Sequence, residues 1–155
     1  MARRNNYADS RRYYDWLDRA NEDILCAKLL LEDDRCYNAA AFHCQQTIEK
    51  ALKAYILLKS DILADGHNLP WLCKRASKYD NKFSGWLAQS TSLSKCYIET
   101  RYPSDLPLEL DYKQVQGYYT IAKEMYFFIT EEVDQALEDK SAHPAQREKP
   151  RKLPR

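Results

Sequence analysis

Glycine is scarce in this chain, with three residues among 155: Gly66, Gly85 and Gly117. Loops that cradle phosphate use glycine because their backbone must approach the ligand closely. The sequence accordingly has no Gly-rich nucleotide-binding motif, and it has no paired carboxylates of the kind that hold two magnesium ions. Long proline-free segments rich in Leu, Ala, Lys and Glu instead favour an all-α protein in which phosphoryl-transfer chemistry is not expected.

Closely spaced cysteines and long apolar runs are also missing. The five cysteines form no Cys-x-x-Cys pair: Cys26, Cys36, Cys44, Cys73 and Cys96. Because a zinc site needs a tighter cluster, we expect inert thiols in the core, no metal and no cofactor. No apolar run approaches 18 residues and no signal peptide is evident, so we predict a cytoplasmic protein without a membrane partner.

Charge is nearly balanced overall, at net +1, but it is unevenly distributed. Residues 140–155 carry six Lys or Arg against one acid, Glu148, which makes this segment net +5 and the rest of the chain net −4. We therefore predict three regions: a flexible N-terminus at 1–12, a helical domain at 13–139 and a disordered basic tail at 140–155. Such a tail could neutralise nucleic-acid phosphates, or it could simply keep the protein soluble.

Apolar residues recur at helical spacing in five segments. They predict helices at about 13–32, 36–59, 68–79, 83–100 and 111–137. Asn68 is expected to cap the third helix, and Gly66 to take a positive φ in the loop before it. Short connections between these segments predict an antiparallel bundle of four to five helices.

The second predicted helix carries an ordered row of polar residues on an otherwise apolar body. His43, Gln46, Lys50 and Lys53 recur at intervals of three and four, with Gln45 and Glu49 beside them. Such a row is either half buried or lines a site. The two lysines could meet phosphate, but Glu49 and Lys53 also form an ordinary i,i+4 pair, worth about 0.3 kcal/mol on a helix surface. The glutamines could equally hydrogen-bond between helices.

Three motifs together resemble the HEPN family, the prokaryotic and eukaryotic nucleotide-binding helical domains. The run from Tyr37 to Ala54, with its core Gln45-Gln46-x-x-Glu49-Lys50, resembles the central helix of that family. The His67-Asn68-Leu69 sequence resembles its His-x-Leu element, and Arg101-Tyr102-Pro103 its Arg-Tyr-Pro segment. The resemblance covers roughly residues 13–137.

The resemblance implies a four- or five-helix bundle that commonly dimerises and often acts beside a small nucleotidyltransferase, as in toxin–antitoxin pairs. Some members are metal-independent ribonucleases, which use an Arg followed four to six residues later by a His at the dimer cleft. No His follows Arg101 within that range here. Because general acid–base attack by a ribose 2′-OH then lacks its usual group, the resemblance favours a non-catalytic member.

Arg101 is the foremost candidate among the site residues, because a guanidinium can form two parallel hydrogen bonds to phosphate. It could instead make a surface ion pair or interact with a helix dipole. Tyr102 could stack on a base or pack its loop, and Asp105 and Glu109 could orient Arg101. His67, beside a helix N-terminus, could bind phosphate or could simply cap or pack.

The sequence thus predicts a nucleotide- or RNA-binding partner of a nucleotidyltransferase in a toxin–antitoxin-like pair. The predicted phosphate-binding residues are Arg101, Tyr102, His67, Lys50, Lys53 and Gln46. Homodimerisation is expected because the last helix is aromatic over much of its circumference. Two alternatives stay open: a divergent metal-independent endoribonuclease acting at a dimer cleft, and a dimerisation module without a ligand.

Overall fold

A computed structural model describes residues 8–97, 103 and 109–143 of the protein. These residues form five α-helices: α1 (Tyr13–Leu31), α2 (Tyr37–Ser60), α3 (Leu69–Ser77), α4 (Leu87–Ser94) and α5 (Tyr112–Ala142). Two 3-10 segments, Asp34–Cys36 and Asn81–Trp86, join α1 to α2 and α3 to α4. There is no strand in this part of the chain, so the all-α prediction is confirmed. No helix in it is long and apolar enough to cross a membrane.

Helix α2 is the centre of the bundle, and each of the other four helices packs against it. Val115 of α5 packs with Leu31 at the end of α1 and Ala40 near the start of α2. At the other end of α5, Lys140 Nζ donates to the backbone carbonyl of Leu58, 2.7 Å away. Helix α5 therefore runs parallel to α2, whereas α1 is antiparallel to both.

The second half of α2 forms the core because it is apolar on nearly every side. Residues 51–58 are all buried, and this stretch contributes Leu52, Tyr55 and Ile56 to the main hydrophobic cluster. The helix ends at Ser60 and is capped by Asp61, which has a left-handed backbone (φ 57°) and whose N–H donates to the Leu57 carbonyl at 2.9 Å. Because the second half of α2 is closely packed on every side, it holds the polar side chains of the first half in fixed positions.

The turn into α3 forms as the sequence predicts, with a left-handed glycine followed by an asparagine cap. Gly66 has φ 86°, and Asn68 caps the helix by accepting a 2.9 Å hydrogen bond from the backbone N–H of Trp71. Leu69 then anchors the first turn in the core, where it is fully buried. These contacts fix the backbone on both sides of His67.

Two predicted boundaries differ from the structure. The fourth helix was expected as one span at 83–100, but the chain forms the 3-10 segment Asn81–Trp86, then α4, then a turn at 95–97. Helix α5 was expected to stop near 137, yet it continues to Ala142 and includes Lys140, assigned above to the basic tail, because that ammonium binds the Leu58 carbonyl at the end of α2. Residues 1–7 and 144–155 lie outside the described part.

Candidate functional site: the polar face of helix α2

The polar row predicted on α2 lies between α1 and the loop that opens α3. We call it the α2 polar face: His43, Gln45, Gln46, Glu49, Lys50 and Lys53. Its side chains are organised around two buried carboxylates, one contributed by α1 and the other by α2 itself.

Asp23 of α1 is the first of these carboxylates and is only 7% exposed. Its Oδ1 accepts a 2.7 Å hydrogen bond from His43 Nδ1, and its Oδ2 accepts one of 2.5 Å from Lys50 Nζ. A carboxylate removed from water in this way requires such partners, because an unpaired buried charge is strongly destabilising. Lys50 was a predicted phosphate ligand, but its ammonium is already paired within the protein.

Glu49 is the second carboxylate and is 4% exposed. His67 Nδ1 donates a short hydrogen bond to its Oε1, and Gln46 Nε2 donates to its Oε2 at 3.0 Å. Lys53 Nζ lies 3.8 Å from Oε1 and 5.6 Å from the ring centre of Trp16. Because both side chains of the Glu49–Lys53 pair are at least nine-tenths buried, the surface value expected for an i,i+4 pair does not apply to it.

The side chain of His67 is 51% exposed. Its ring stacks on Tyr97, with centroids 4.4 Å apart and planes inclined by 15°. The His67 carbonyl accepts a 3.5 Å hydrogen bond from Gln45, which is fully buried. His67 therefore packs between α2 and the turn after α4 and leaves the capping of α3 to Asn68.

The structure brings together four of the six predicted ligands around Asp23 and Glu49: Gln46, Lys50, Lys53 and His67. Arg101, Tyr102 and the accessory Asp105 lie outside the described residues. In the sequence, Arg101 follows Tyr97, the stacking partner of His67, by four positions. The exposed Glu109 precedes α5.

Sequence reasoning missed two contributors to the site. Asp23 gave a usable signal: it lies three residues after Ala20 and four before Ala27, on the apolar face of α1, where a carboxylate needs a partner. Tyr97 gave no such signal, because its contact with His67 joins residues 30 positions apart and depends on tertiary packing.

The described residues include no group of three or more His, Cys, Asp or Glu side chains suited to a metal ion. Cys44, Cys73 and Cys96 are buried, while Cys26 and Cys36 are partly exposed. Burial raises the pKa of the Cys44 and Cys73 thiols above its ordinary value, and this keeps them protonated and poorly nucleophilic.

A separate groove of about 670 Å³ runs between α1 and α5. We call it the α1–α5 groove; its lining includes Lys28, Leu31, Glu32, Tyr112, Tyr119, Lys123, Glu124 and Phe127. Phe127 is 63% exposed, and Leu29 on the same stretch of α1 is 74% exposed. Large apolar side chains exposed in this way are typical of protein–protein contacts.

Comparison with known protein families gives a match to the HEPN domain over residues 13–133. A protein of Methanocaldococcus jannaschii named "Putative toxin MJ1304" is 30% identical over 94 residues. That alignment covers 57% of this chain and 61% of the relative, so the chain spans less than two thirds of the relative's length.

Two solved structures share the architecture. The protein TT1696 from Thermus thermophilus superposes with a TM-score of 0.71 at 26% identity and covers 79% of this chain and 98% of its own. ST0689, described as an archaeal HEPN homologue, has a TM-score of 0.63 at 23% identity, with the same coverage of both chains. The second similarity concerns the fold alone.

Proposed function

Because the chain belongs to the HEPN family, as the match over residues 13–133 shows, we propose that it binds RNA or a nucleotide as the toxin-side member of a toxin–antitoxin-like pair. The name of the Methanocaldococcus relative supports the toxin assignment. The matched domain covers most of the chain, and the α2 polar face lies within it.

The observation that carries this proposal is the setting of His67. Its imidazole is half exposed, is held by the buried Glu49 and is stacked on Tyr97, four positions before Arg101 in the sequence. An imidazole and a guanidinium both donate hydrogen bonds to phosphate, and aromatic rings stack on bases. We assign direct contact with the ligand to His67, Arg101 and Tyr102.

A supporting role suits the other three predicted ligands better. Lys50 is bonded to Asp23, while Gln46 and Lys53 contact Glu49. Breaking one of these pairs to reach a phosphate would take a partner away from a buried carboxylate, which is costly. In this proposal they hold the two carboxylates, and through them the histidines, in place.

The proposal includes two protein partners. A nucleotidyltransferase would supply the metal ions and the phosphoryl transfer, for which this sequence has no motif. A second copy of the chain would cover the α1–α5 groove, whose rim carries Lys28, Glu32, Lys123 and Glu124. Equal numbers of positive and negative side chains suit a two-fold contact, in which each patch meets its own copy.

Thermal unfolding with and without millimolar ATP, GTP, CTP, UTP or a short single-stranded RNA tests the binding proposal. A ligand present at a hundred times its Kd stabilises the fold by about 2.7 kcal/mol, which is a shift of several degrees at this chain length. We expect such a shift for at least one ligand and its loss in Arg101→Ala.

Arg35→Ala is the matched control, because Arg35 is exposed and pairs only locally, with Asp33. This control should keep the full shift. If no ligand raises the melting temperature of the wild-type protein, or if Arg101→Ala responds as the wild type does, the binding proposal is wrong.

A further inference from the structure

The solvent side of α3 and of the turn after it carries basic and aromatic side chains that lie outside the α2 polar face. We call this surface the α3 outer face: Trp71, Lys74, Arg75, Lys78 and Tyr79. We propose that it binds the phosphates and one base of a single-stranded RNA that extends beyond His67. This inference rests on the proposed function and narrows it, because it names RNA of several nucleotides, rather than a mononucleotide, as the ligand.

Residue spacing divides α3 into two faces. The inner face is fully buried in the core, at intervals of three and four residues: Leu69, Leu72, Cys73 and Ala76. The outer-face residues from Trp71 to Lys78 recur at the same intervals two positions later, which places them on the opposite side of the helix. Trp71 is 45% exposed and Tyr79 is 40% exposed. Two large aromatic side chains therefore remain in water beside three cations.

The α3 outer face is a positive patch in an acidic part of the chain. Residues 66–79 contain three Lys or Arg and no Asp or Glu, whereas residues 1–139 together are net −4. In the part of the chain that the structure describes, none of these three cations makes a salt bridge, and the nearby Asp80 pairs with Lys82 instead. The helix dipole favours cations at the end of α3, but it does not account for an exposed indole beside them. Clustered cations without counter-ions suit a polyanion.

Trp71 and Arg75 form the centre of this surface. The guanidinium carbon of Arg75 lies 5.3 Å from the ring centre of Trp71. This cation–π contact orients both side chains before a ligand arrives, which lowers the entropy that binding costs. The guanidinium covers one face of the indole, so a base would stack on the other face, and such stacking tolerates any base.

The α3 outer face begins close to His67. Asn68 accepts from the Trp71 N–H through its side chain, at 2.9 Å, and from the Leu72 N–H through its carbonyl, at 3.0 Å, so helical geometry starts at Asn68. The α carbons of His67 and Trp71 are therefore at most about 10 Å apart. From Trp71 to Lys78 the helix advances about another 10 Å at its usual rise. An RNA strand that contacts His67 can continue along α3 for more than one nucleotide.

Single-stranded RNA suits this surface better than an acidic protein does. Both would supply negative charge for the lysines and the arginine. A nucleotide also supplies a flat base for Trp71 or Tyr79, whereas Asp and Glu side chains offer nothing that stacks on a ring. An oligoglutamate peptide is therefore the competing probe.

Fluorescence anisotropy of end-labelled oligouridines, from two to twelve nucleotides long, tests the inference on the full-length protein. We expect the affinity of the wild type to rise with RNA length, and the combined variant Lys74→Gln, Arg75→Gln, Lys78→Gln to lose most of that rise. The slope of log affinity against log salt concentration should become shallower by about 2 in this variant, because each phosphate contact on a single strand contributes about 0.7.

The stacking role of Trp71 has its own pair of variants. Trp71→Ala should weaken the binding of the longest oligouridine at least about fivefold, because a stacked base is lost. Trp71→Phe keeps a flat ring at the same position and should retain most of the affinity. Equal affinities of the wild type and Trp71→Ala would contradict the stacking.

The matched control combines Arg11→Gln, Lys59→Gln and Lys113→Gln. It also removes one arginine and two lysines from exposed positions, but these lie in three separate places along the chain. The control should keep the length dependence and the salt slope of the wild type. Circular dichroism verifies the fold of every variant.

The α3 outer face and the site around Arg101 are tested separately. The combined α3 variant should keep the thermal shift with a mononucleotide that Arg101→Ala loses. Wild-type affinity that does not rise with RNA length, or a combined α3 variant that matches the control, would refute the inference and leave the proposed function standing. Oligoglutamate that binds as tightly as oligouridine would assign the surface to an acidic protein and overturn the inference as well. If neither a nucleotide nor an oligouridine binds the wild type, both proposals are wrong.

Discussion

At the scale of single residues, Asp23 connects α1 to the α2 polar face. One carboxylate accepts from both His43 and Lys50, although these lie seven positions apart on α2. Because Asp23 is 7% exposed, neither partner can be replaced fully by water. Loss of this one charge should thus affect stability and site geometry together.

Asp23→Asn keeps the shape of the side chain and removes its charge. We expect it to lower the free energy of unfolding by about 1–3 kcal/mol, because Lys50 loses its counter-ion in a partly buried setting. Urea unfolding followed by circular dichroism measures the change. Asp18→Asn, at an exposed position of α1, is the control and should stay within about 0.5 kcal/mol. An equally small effect of Asp23→Asn would mean that its ion pairs add nothing to stability.

At the scale of elements, α5 is the longest helix and begins with a complete capping box. The Asp111 side chain accepts from the backbone N–H of Gln114 at 2.8 Å, and the Gln114 side chain accepts from the Asp111 N–H at 3.1 Å. Two of the otherwise unpaired donors at the helix start are satisfied in this way.

Asp111→Ala should cost about 1 kcal/mol of stability, since it removes the acceptor for the Gln114 N–H. Chemical denaturation measures the difference, and faster amide hydrogen exchange at the first turn of α5 would locate it. Glu109→Ala, an exposed position before the helix, serves as the comparison. Equal stability of the two variants would show that the first turn frays without consequence.

The sequence predicted α1, α2 and the start of α5 to within one or two residues, because their apolar spacing and caps are local properties. It missed the 3-10 segment before α4, since Phe83 is drawn into the core beside Tyr55, a contact that local periodicity does not encode. The site was predicted in part for the same reason. The polar row is a property of α2 alone, whereas its partners Asp23 and Tyr97 are brought to it by packing.

At the scale of the whole molecule, apolar surface remains outside the bundle core. Leu25 and Leu29 of α1 are 53% and 74% exposed, and Phe127 of α5 is 63% exposed beside the α1–α5 groove. A monomer gains nothing from three large apolar side chains in water, whereas a second copy of the chain could bury them. Our homodimer proposal rests on this surface.

Phe127→Glu should therefore shift the protein from dimer to monomer, because it places a charge in the proposed apolar contact. Light scattering after size-exclusion chromatography should give twice the 18.3 kDa chain mass for the wild type and the single-chain mass for the variant. Ile62→Glu is the control, since Ile62 is 54% exposed in the loop after α2. A wild-type protein with the mass of one chain, or a Phe127→Glu variant that stays dimeric, would rule out this surface.

The central position of α2 also limits how the proposed ligand binding could change in evolution. Residues 51–58, which include Lys53, are all buried, and so is Glu49. Few substitutions along this helix therefore leave the core intact. His67 and Tyr97, by contrast, are contributed by a loop and a turn, where exchange of a side chain disturbs less packing. New specificities should therefore arise by mutation around these two positions, while α2 remains the part inherited almost unchanged.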